Sequence, residues 1–395
     1  MAEKPRKLRV GVVFGGRSGE HEVSLAGAAS VMAAMDKSRF ELVPIGIAKD
    51  GRWLMGGDPL RALAAEAARL ALASGHPEAH TKHELLERAT AQDTGTSLMR
   101  METSEGLPPG LRDRLDVVLV LLHGPQGEDG TVQGLLELAG LPYVGAGVLA
   151  SAVGMDKDVQ KRLYQQAGLP VAECLCILRA DWEKSRAKVQ RAVEQRFRYP
   201  LFVKPATLGS SVGMSKVHGR DELPAALDLA AEFAQKILVE RAIRGREIEV
   251  SVLGNEDPKA SVPGEIVPHR EFYDYTAKYL EEGTRLIIPA RLTRTQVRRF
   301  QDYAVRAFRA IECTGMARVD FFLERRTGRT YLNEINTIPG FTSISMYPKL
   351  WEATGLSFRE LVDRLIELAL AQHREKARTK YSIELPPGAG GALEA

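Results

Sequence analysis

Cysteine is scarce in this chain: Cys174, Cys176 and Cys313 are all that occur in 395 residues. An odd count, with C-x-C rather than paired C-x-x-C spacing, argues against a disulfide scaffold or a zinc ribbon and reads as reduced, buried thiols in a cytosolic protein. Charge of one sign is equally scarce, since 54 basic and 51 acidic residues leave only +3. No Lys/Arg run has aromatics interleaved, so nucleic acid is not an expected partner. Long apolar runs are missing too: nothing approaches the roughly 20 residues of a membrane span. The opening residues MAEKPRKLRV are charged and lack the apolar centre of a signal peptide, so a cytoplasmic location is expected. Neither G-x-x-x-x-G-K-[ST] nor G-x-G-x-x-G occurs, so any nucleotide is held by something other than a P-loop or a dinucleotide fold.

What is present is an ordinary globular composition, 44% hydrophobic and 27% charged, at a length that implies two or three domains. Residues 8–14 form an apolar run that ends in Gly15-Gly16-Arg17-Ser18-Gly19, and a helical pattern follows from about Ser24 to Met35. Further apolar runs at 40–47 and 116–124, then a helical stretch to Gly140, continue the alternation of a parallel α/β sheet. Residues 55–112 read as an insertion with a helical segment at 60–73 and no visible chemistry. A helix is expected over Met155–Ala167, closed by Gly168 and Pro170. Strands are expected at 199–205, 211–217 and 247–254, which makes this region mixed α+β. The domains are therefore expected at 1–145, 146–240 and 241–380, with a disordered tail at 381–395 whose Pro and Gly carry no apolar periodicity.

Two constellations carry chemistry. The turn Leu208-Gly209-Ser210-Ser211-Val212-Gly213 has little side-chain bulk, so its N–H groups and hydroxyls can converge on phosphate oxygens, with Lys204 at the end of the preceding strand as a point charge. An ordinary hairpin has the same composition. The second constellation is a pair of strands. Side chains alternate along a strand, so Arg318 and Asp320 share one face, as do Glu334 and Asn336. A turn over 324–330 centred on Thr327 sets Asp320 opposite Glu334 and Arg318 opposite Asn336, with Val319, Phe321 and Ile335 on the other face. Paired carboxylates with an amide oxygen suit Mg²⁺, which prefers one or two carboxylates plus substrate phosphates. A solvated hairpin face is equally compatible with geometry alone. The segment Asn336–Ser345 adds a Pro339-Gly340 turn rich in backbone donors that can bind a carboxylate or an oxyanion.

These stretches resemble a known family. HGPQGEDGTVQG at 123–134, and Gly315 through Arg318, Asp320, Glu334, Asn336 and Pro339-Gly340, are similar to the two signatures of the D-alanine:D-alanine ligases. FGGRSGEHEVSL (14–25), Gly154–Lys157, GSSVGMSKV and FYDYTAKY (272–279) follow in the family's order, and the matches run from about residue 8 to 365. The resemblance implies an ATP-grasp fold behind the N-terminal parallel-sheet domain, with ATP and two Mg²⁺ ions, or Mn²⁺, as cofactors. It implies D-alanine as substrate and a homodimer without nucleic-acid or membrane partners. By similarity Lys157, Lys204 and Lys278 meet the phosphates, Ser210 and Ser211 cover them, and Glu240, Ile243 and Glu247 hold adenine and ribose. Asp320, Glu334 and Asn336 are the implied metal ligands. Glu22 and His123 receive the first D-alanine, Arg318 and Gly340 stabilise the tetrahedral intermediate, and Ser345 with Met346 take the second D-alanine's carboxylate. A lid carrying Lys278 and Tyr279 closes over the site, with Tyr279 linked to Ser210 and Glu22.

The implied product is D-alanyl-D-alanine, made through an acyl phosphate for peptidoglycan. The alternatives are a ligase that takes D-lactate or D-serine as acceptor and a non-catalytic nucleotide-binding protein. In lactate-making relatives a His stands where this sequence has Tyr279, so FYDYTAKY favours an amine acceptor. Departures at Ala206-Thr207-Leu208, Ile344 and Met346 touch pocket detail rather than reaction type, and 55–112 does not align.

Overall fold

The computed structural model describes residues 6–73, 99–101, 110–209, 212–267 and 285–381. They form three sheets. The first contains β1 (Leu8–Gly15), β2 (Phe40–Ile47), β3 (Trp53–Met55), β4 (Met99–Met101), β5 (Val117–Val120) and β6 (Tyr143–Val144), in the order β4-β3-β2-β1-β5-β6. β2, β1, β5 and β6 run parallel, and apolar residues fill both faces of β1 and β5, as a covered sheet requires. β3 and β4 pair antiparallel at one edge. β4 lies within the stretch read as an insertion, 55–112, and β3 ends at its first residue, so part of that stretch widens the sheet. The helix Pro59–Ala73 fits the expected 60–73 segment.

The second sheet has four strands in the order β7 (Cys174–Leu178), β10 (Lys236–Arg241), β8 (Leu201–Pro205), β9 (Ser215–Val217). β8 and β9 start later than expected, because Tyr199-Pro200 and the glycine-containing stretch before Ser215 stay outside the ladder. Of the three thiols only Cys313 is buried; Cys174 and Cys176 are half-buried, and all are free. The sequence expectation of three buried thiols is corrected by the position of β7 at a sheet edge.

The third sheet orders β14 (Arg285–Ile287), β13 (Gly264–Val267), β11 (Gly245–Gly254), β15 (Gly315–Glu324) and β16 (Thr330–Asn336), with β12 (Lys259–Ala260) on β11. Its core holds Ile248, Val250, Val252, Ala317, Val319, Phe321 and Leu323, closed by Phe300, Ala304, Ala307 and Phe308 of the helix Arg294–Ala310. Ala146, Ala150, Tyr164 and Leu169 join this core and not that of the second sheet, whose apolar cluster begins at Ile177. The expected helix over Met155–Ala167 is two helices, Val148–Met155 and Lys157–Gln166. Asp156 separates them: its extended backbone stops the first, and its carboxylate accepts the N–H groups of Asp158 and Val159 to start the second. The last helix, Phe358–Lys376, is opened by a capping box from Ser357 and Glu360 and packs Leu361, Val362, Leu365 and Ile366 into the core of the first sheet. Chain that follows the third sheet thus returns to the first.

Candidate active site

The hairpin of β15 and β16 sets the geometry. Arg318 pairs with Asn336 and Asp320 with Glu334, as alternation predicts. The route differs from a regular turn centred on Thr327. Near the turn Leu323 faces Thr330 and Phe322 faces Tyr331, and the register then shifts between Asp320 and Phe321. One additional residue on β16, a β-bulge at Asn333, brings Glu334 onto the face of Asp320. The bulge also lets Leu332 turn into the core, fully buried, although it stands two residues from Glu334 and by strict alternation belongs on the same face.

Arg318 lies flat against Asp320, with Nε on Oδ1 and Nη2 on Oδ2, both at 2.7 Å. Its Nε is also 3.2 Å from Glu249 Oε2 on β11. Burial disfavours the charged guanidinium, but Asp320 and Glu249 outweigh it and hold Arg318 protonated. Glu334 is met by Lys157 Nζ at 3.1 Å. Burial pushes its carboxyl up, yet Lys157, Lys204 and Arg318 prevail and hold it at about 2. Lys157 is the first residue of its helix and also donates to the carbonyl of Leu208 at 2.8 Å, so it bridges Glu334 and the small-residue turn. A cation at a helix start is dipole-unfavourable, which the adjacent carboxylates offset. Gln160, one turn on, accepts the N–H of Ile335 at 3.1 Å and ties this helix to β16.

Lys204, at the end of β8, sits 3.0 Å from Glu240 Oε2, and Lys161 Nζ is 3.2 Å from Glu240 Oε1 without hydrogen-bond alignment. Burial alone raises the Glu240 carboxyl, and the two ammonium groups pull it down. Ile243 is half-buried in the connection to β11, and Glu247 lies near the start of that strand in register with Phe322 and Ile266. On the opposite side His123, just beyond β5, has Nδ1 3.1 Å from the carbonyl of Ile338, which joins the first sheet to the Pro339-Gly340 turn. Asn336 Oδ1 accepts the N–H of Ile338 at 3.0 Å and shapes the same turn. A Cβ on Gly340 would meet Ser345 Oγ at 3.1 Å. Ser345 precedes the helix Met346–Thr354 but does not cap it, because its hydroxyl is engaged by Thr342 at 3.0 and 2.7 Å. Met346 is buried. Glu22, in the first turn of the helix His21–Ala34, is held by Lys49 at 2.7 Å; burial raises its carboxyl, but Lys49, its own backbone N–H and His21 together keep it below the usual range.

The fold therefore gathers Lys157, Lys204, Glu240, Arg318, Asp320 and Glu334 into one connected charge network, and ties His123 to the turn that carries Gly340. Ser210, Ser211, Lys278 and Tyr279 lie outside the described residues. Lys49, Lys161 and Glu249 escaped the sequence reading. Glu249 alone had a local signal, since alternation along 247–254 puts it on the face of Glu247 and Ser251. Among the described residues no group of three or more His, Cys, Asp or Glu side chains is arranged to hold a metal.

The family described as D-ala D-ala ligase N-terminus matches residues 9–146, and that described as D-ala D-ala ligase C-terminus matches 163–367. This chain belongs to the D-alanine–D-alanine ligase family. A relative named D-alanine–D-alanine ligase, from Heliobacterium modesticaldum, is 50% identical over 372 residues, which is 94% of this chain and 97% of that protein. The solved structure of the D-alanine-D-alanine ligase from Coxiella burnetii superposes with a TM-score of 0.74 at 35% identity, covering 94% of this chain and 97% of that one. The VanG D-Ala:D-Ser ligase from Enterococcus faecalis superposes at 0.76 with 34% identity over 92% and 100%. The ligase chain thus has the ATP-grasp architecture, and it is an ATP-dependent ligase. No helix among the described residues is long and apolar enough to cross a membrane.

Proposed function

We propose that this ligase joins two D-alanine molecules into D-alanyl-D-alanine for peptidoglycan synthesis. The γ-phosphoryl group of ATP passes to the carboxylate of the first D-alanine and ADP leaves. The amine of the second attacks the acyl carbon, phosphate departs and the ammonium proton is released. The observation that carries this reading is Arg318, a buried guanidinium fixed between two carboxylates on the face that also bears Glu334 and Asn336. A fixed cation beside a reacting carboxyl stabilises the oxyanion without reorganisation at the moment of reaction.

The donor set fits Mg²⁺: two opposed carboxylates and an amide oxygen are all hard ligands, and Mg²⁺ takes one or two carboxylates with substrate phosphates in the rest of its shell. Mn²⁺ suits the same oxygens. When bound, two such ions neutralise charge on the transferring phosphoryl group. Lys157 and Lys204 supply charge to the phosphates, which requires them to exchange their contacts with Glu334 and Glu240 for nucleotide oxygens. Ser210, Ser211 and Lys278 cover the phosphates, and Glu240, Ile243 and Glu247 hold adenine and ribose. Glu22 and His123 orient the first amino acid, with Lys49 yielding Glu22 to the incoming ammonium. Gly340 contributes a backbone N–H to the intermediate, Ser345 and Met346 take the second carboxylate, and Tyr279 closes the lid. The family resemblance supports a cytoplasmic homodimer.

Purified protein with ATP, Mg²⁺ and D-alanine should release phosphate and form a dipeptide of the corresponding mass. Absence of D-alanine-dependent phosphate would overturn the proposal. A mixed product with D-serine, formed in preference when both acceptors are offered, would move the chain to the activity named for the Enterococcus protein.

A further inference from the structure

Glu249 is 5% exposed and belongs to β11, one strand away from the hairpin. Its Cα pairs with Asp320, which in turn pairs with Glu334, so three acids stand in one row across β11, β15 and β16. The neighbouring row is Ser251, Arg318 and Asn336. Like charges directly opposite destabilise a sheet. Arg318 offsets two of the three and Lys157 the third. The alternate residues Ile248, Val250 and Val252 are fully buried in the core, so Glu249 is directed to the site face by the period of its own strand.

Asp320 has two claims upon it. Both its oxygens lie on Arg318 at 2.7 Å, while the proposed function asks the same carboxylate to bind a divalent cation. A cation that recruits Asp320 takes charge from the guanidinium, and a buried guanidinium that loses its only counter-ion is strongly disfavoured. Glu249 removes that conflict, because its Oε2 is 3.2 Å from Arg318 Nε and comes from a strand that carries none of the proposed cation ligands.

We propose that Glu249 is a positioning residue: it is the second counter-ion that keeps the Arg318 guanidinium aimed at the reacting carboxyl while Asp320 turns to the cation. The proposal rests on the assignment of Asp320 and Arg318 given above. It explains why a third acid is tolerated beside two others, and it makes cation binding and Arg318 placement depend on a residue that touches neither substrate nor metal.

The test compares Glu249→Gln and Glu249→Asp with the parent enzyme. The readouts are kcat, KM for ATP, the Mg²⁺ concentration for half-maximal rate, and Mn²⁺ binding to the ADP complex followed by the spin-resonance signal of free Mn²⁺. Groups that support a metal ligand typically change affinity or rate by about 10–100-fold when removed. For Glu249→Gln we therefore expect kcat to fall about tenfold or more and the Mg²⁺ requirement to rise about as much, with KM for ATP within about threefold. Glu249→Asp, which keeps the charge, should recover much of the loss. A Glu249→Gln enzyme with parental kcat and Mg²⁺ requirement overturns the proposal. So does a loss of kcat, ATP binding and thermal midpoint together that Glu249→Asp does not repair, since that marks a purely structural role. The cycle with Arg318→Ala keeps the test decisive if Glu249→Gln alone folds poorly, because Arg318→Ala with Glu249→Gln removes both members of the pair. Adding Glu249→Gln to Arg318→Ala should leave Mn²⁺ affinity unchanged within about twofold; the same loss in both backgrounds rejects action through Arg318. A parent enzyme inactive with D-alanine fells the functional reading itself, whereas an active parent indifferent to Glu249 fells only this inference.

Discussion

At the scale of single residues, the candidate site is built from charges that satisfy one another. Arg318 has Asp320 and Glu249, Glu334 has Lys157, and Glu240 has Lys161 and Lys204. Arg318→Ala should lower kcat by at least about 10²–10³, the usual cost of one oxyanion donor, with only modest loss of ATP binding by calorimetry. It should also destabilise the fold by about 3–5 kcal/mol, because buried Glu249 and half-buried Asp320 lose the guanidinium that lies between them. A parental rate in this variant would contradict the assignment of Arg318. Ser345 makes a narrower claim. Its hydroxyl is held by Thr342 and does not cap its own helix. Ser345→Ala should raise KM for the second D-alanine by the loss of one hydrogen bond to a charged group, about 1.5–3 kcal/mol, while the first D-alanine and ATP bind as before. Separate titration of the two D-alanine sites distinguishes these outcomes.

At the scale of elements, strands are secured by buried or half-buried acids that can be titrated. Asp116, just before β5, accepts the backbone N–H of Arg9 at 2.7 Å and contacts from the side chains of Arg9 and Arg6, so it staples β5 to β1. Burial raises its carboxyl, but these donors prevail and hold it at about 2 against an ordinary 3.8. A depressed folded value means that this stabilisation is complete above 3.8 and disappears as pH falls through about 2. Asp116→Asn should therefore cost about 1–2 kcal/mol at neutral pH and nothing near the acid limit. Urea midpoints measured across that range check it, and a pH-independent difference would mean that the charge is not what joins the strands. The β-bulge belongs to this scale too. Period-2 alternation, a local property, was enough to put Arg318 with Asp320 and Glu334 with Asn336, each pair on one face of its own strand. The position of the additional residue at Asn333 was not, because a hairpin turn of six or seven residues gives the same composition and only the packing of Leu332 against the core decides between them.

At the scale of the whole molecule, the last helix is a structural tie between the third sheet and the first. Its apolar side joins the core that contains Val12, Phe14 and Leu25, while Arg359 pairs with Asp36 and Asp363 with Arg39. Truncation after Thr354 removes Leu361, Val362, Leu365 and Ile366 and exposes the apolar surface they cover. At about 1.5–3 kcal/mol for each large apolar side chain, the loss is comparable with the whole stability of a domain, and the truncated chain should be insoluble. Truncation after Tyr381, which is itself exposed, should leave rate and thermal midpoint unaltered. Assays of soluble yield, melting and phosphate release on the two truncations suffice. An inactive or insoluble product from the second would assign a role to the tail residues.

The sequence by itself determined what depends on neighbours along the chain. This covers the alternation that pairs Arg318 with Asp320 and Glu334 with Asn336 along their strands, and the motifs that match one ligase family over residues 9–146 and 163–367. Periods of 2 and 3.6 and the requirements of caps act over a few residues, so they are written locally. Only the tertiary structure decided the partners: Glu249 for Arg318, Lys161 for Glu240, Lys49 for Glu22, and the first sheet for the last helix. Those pairings join strands and helices far apart in the chain. A buried charge carries no mark of which opposite charge will neutralise it until the backbone has brought the two within a few ångströms.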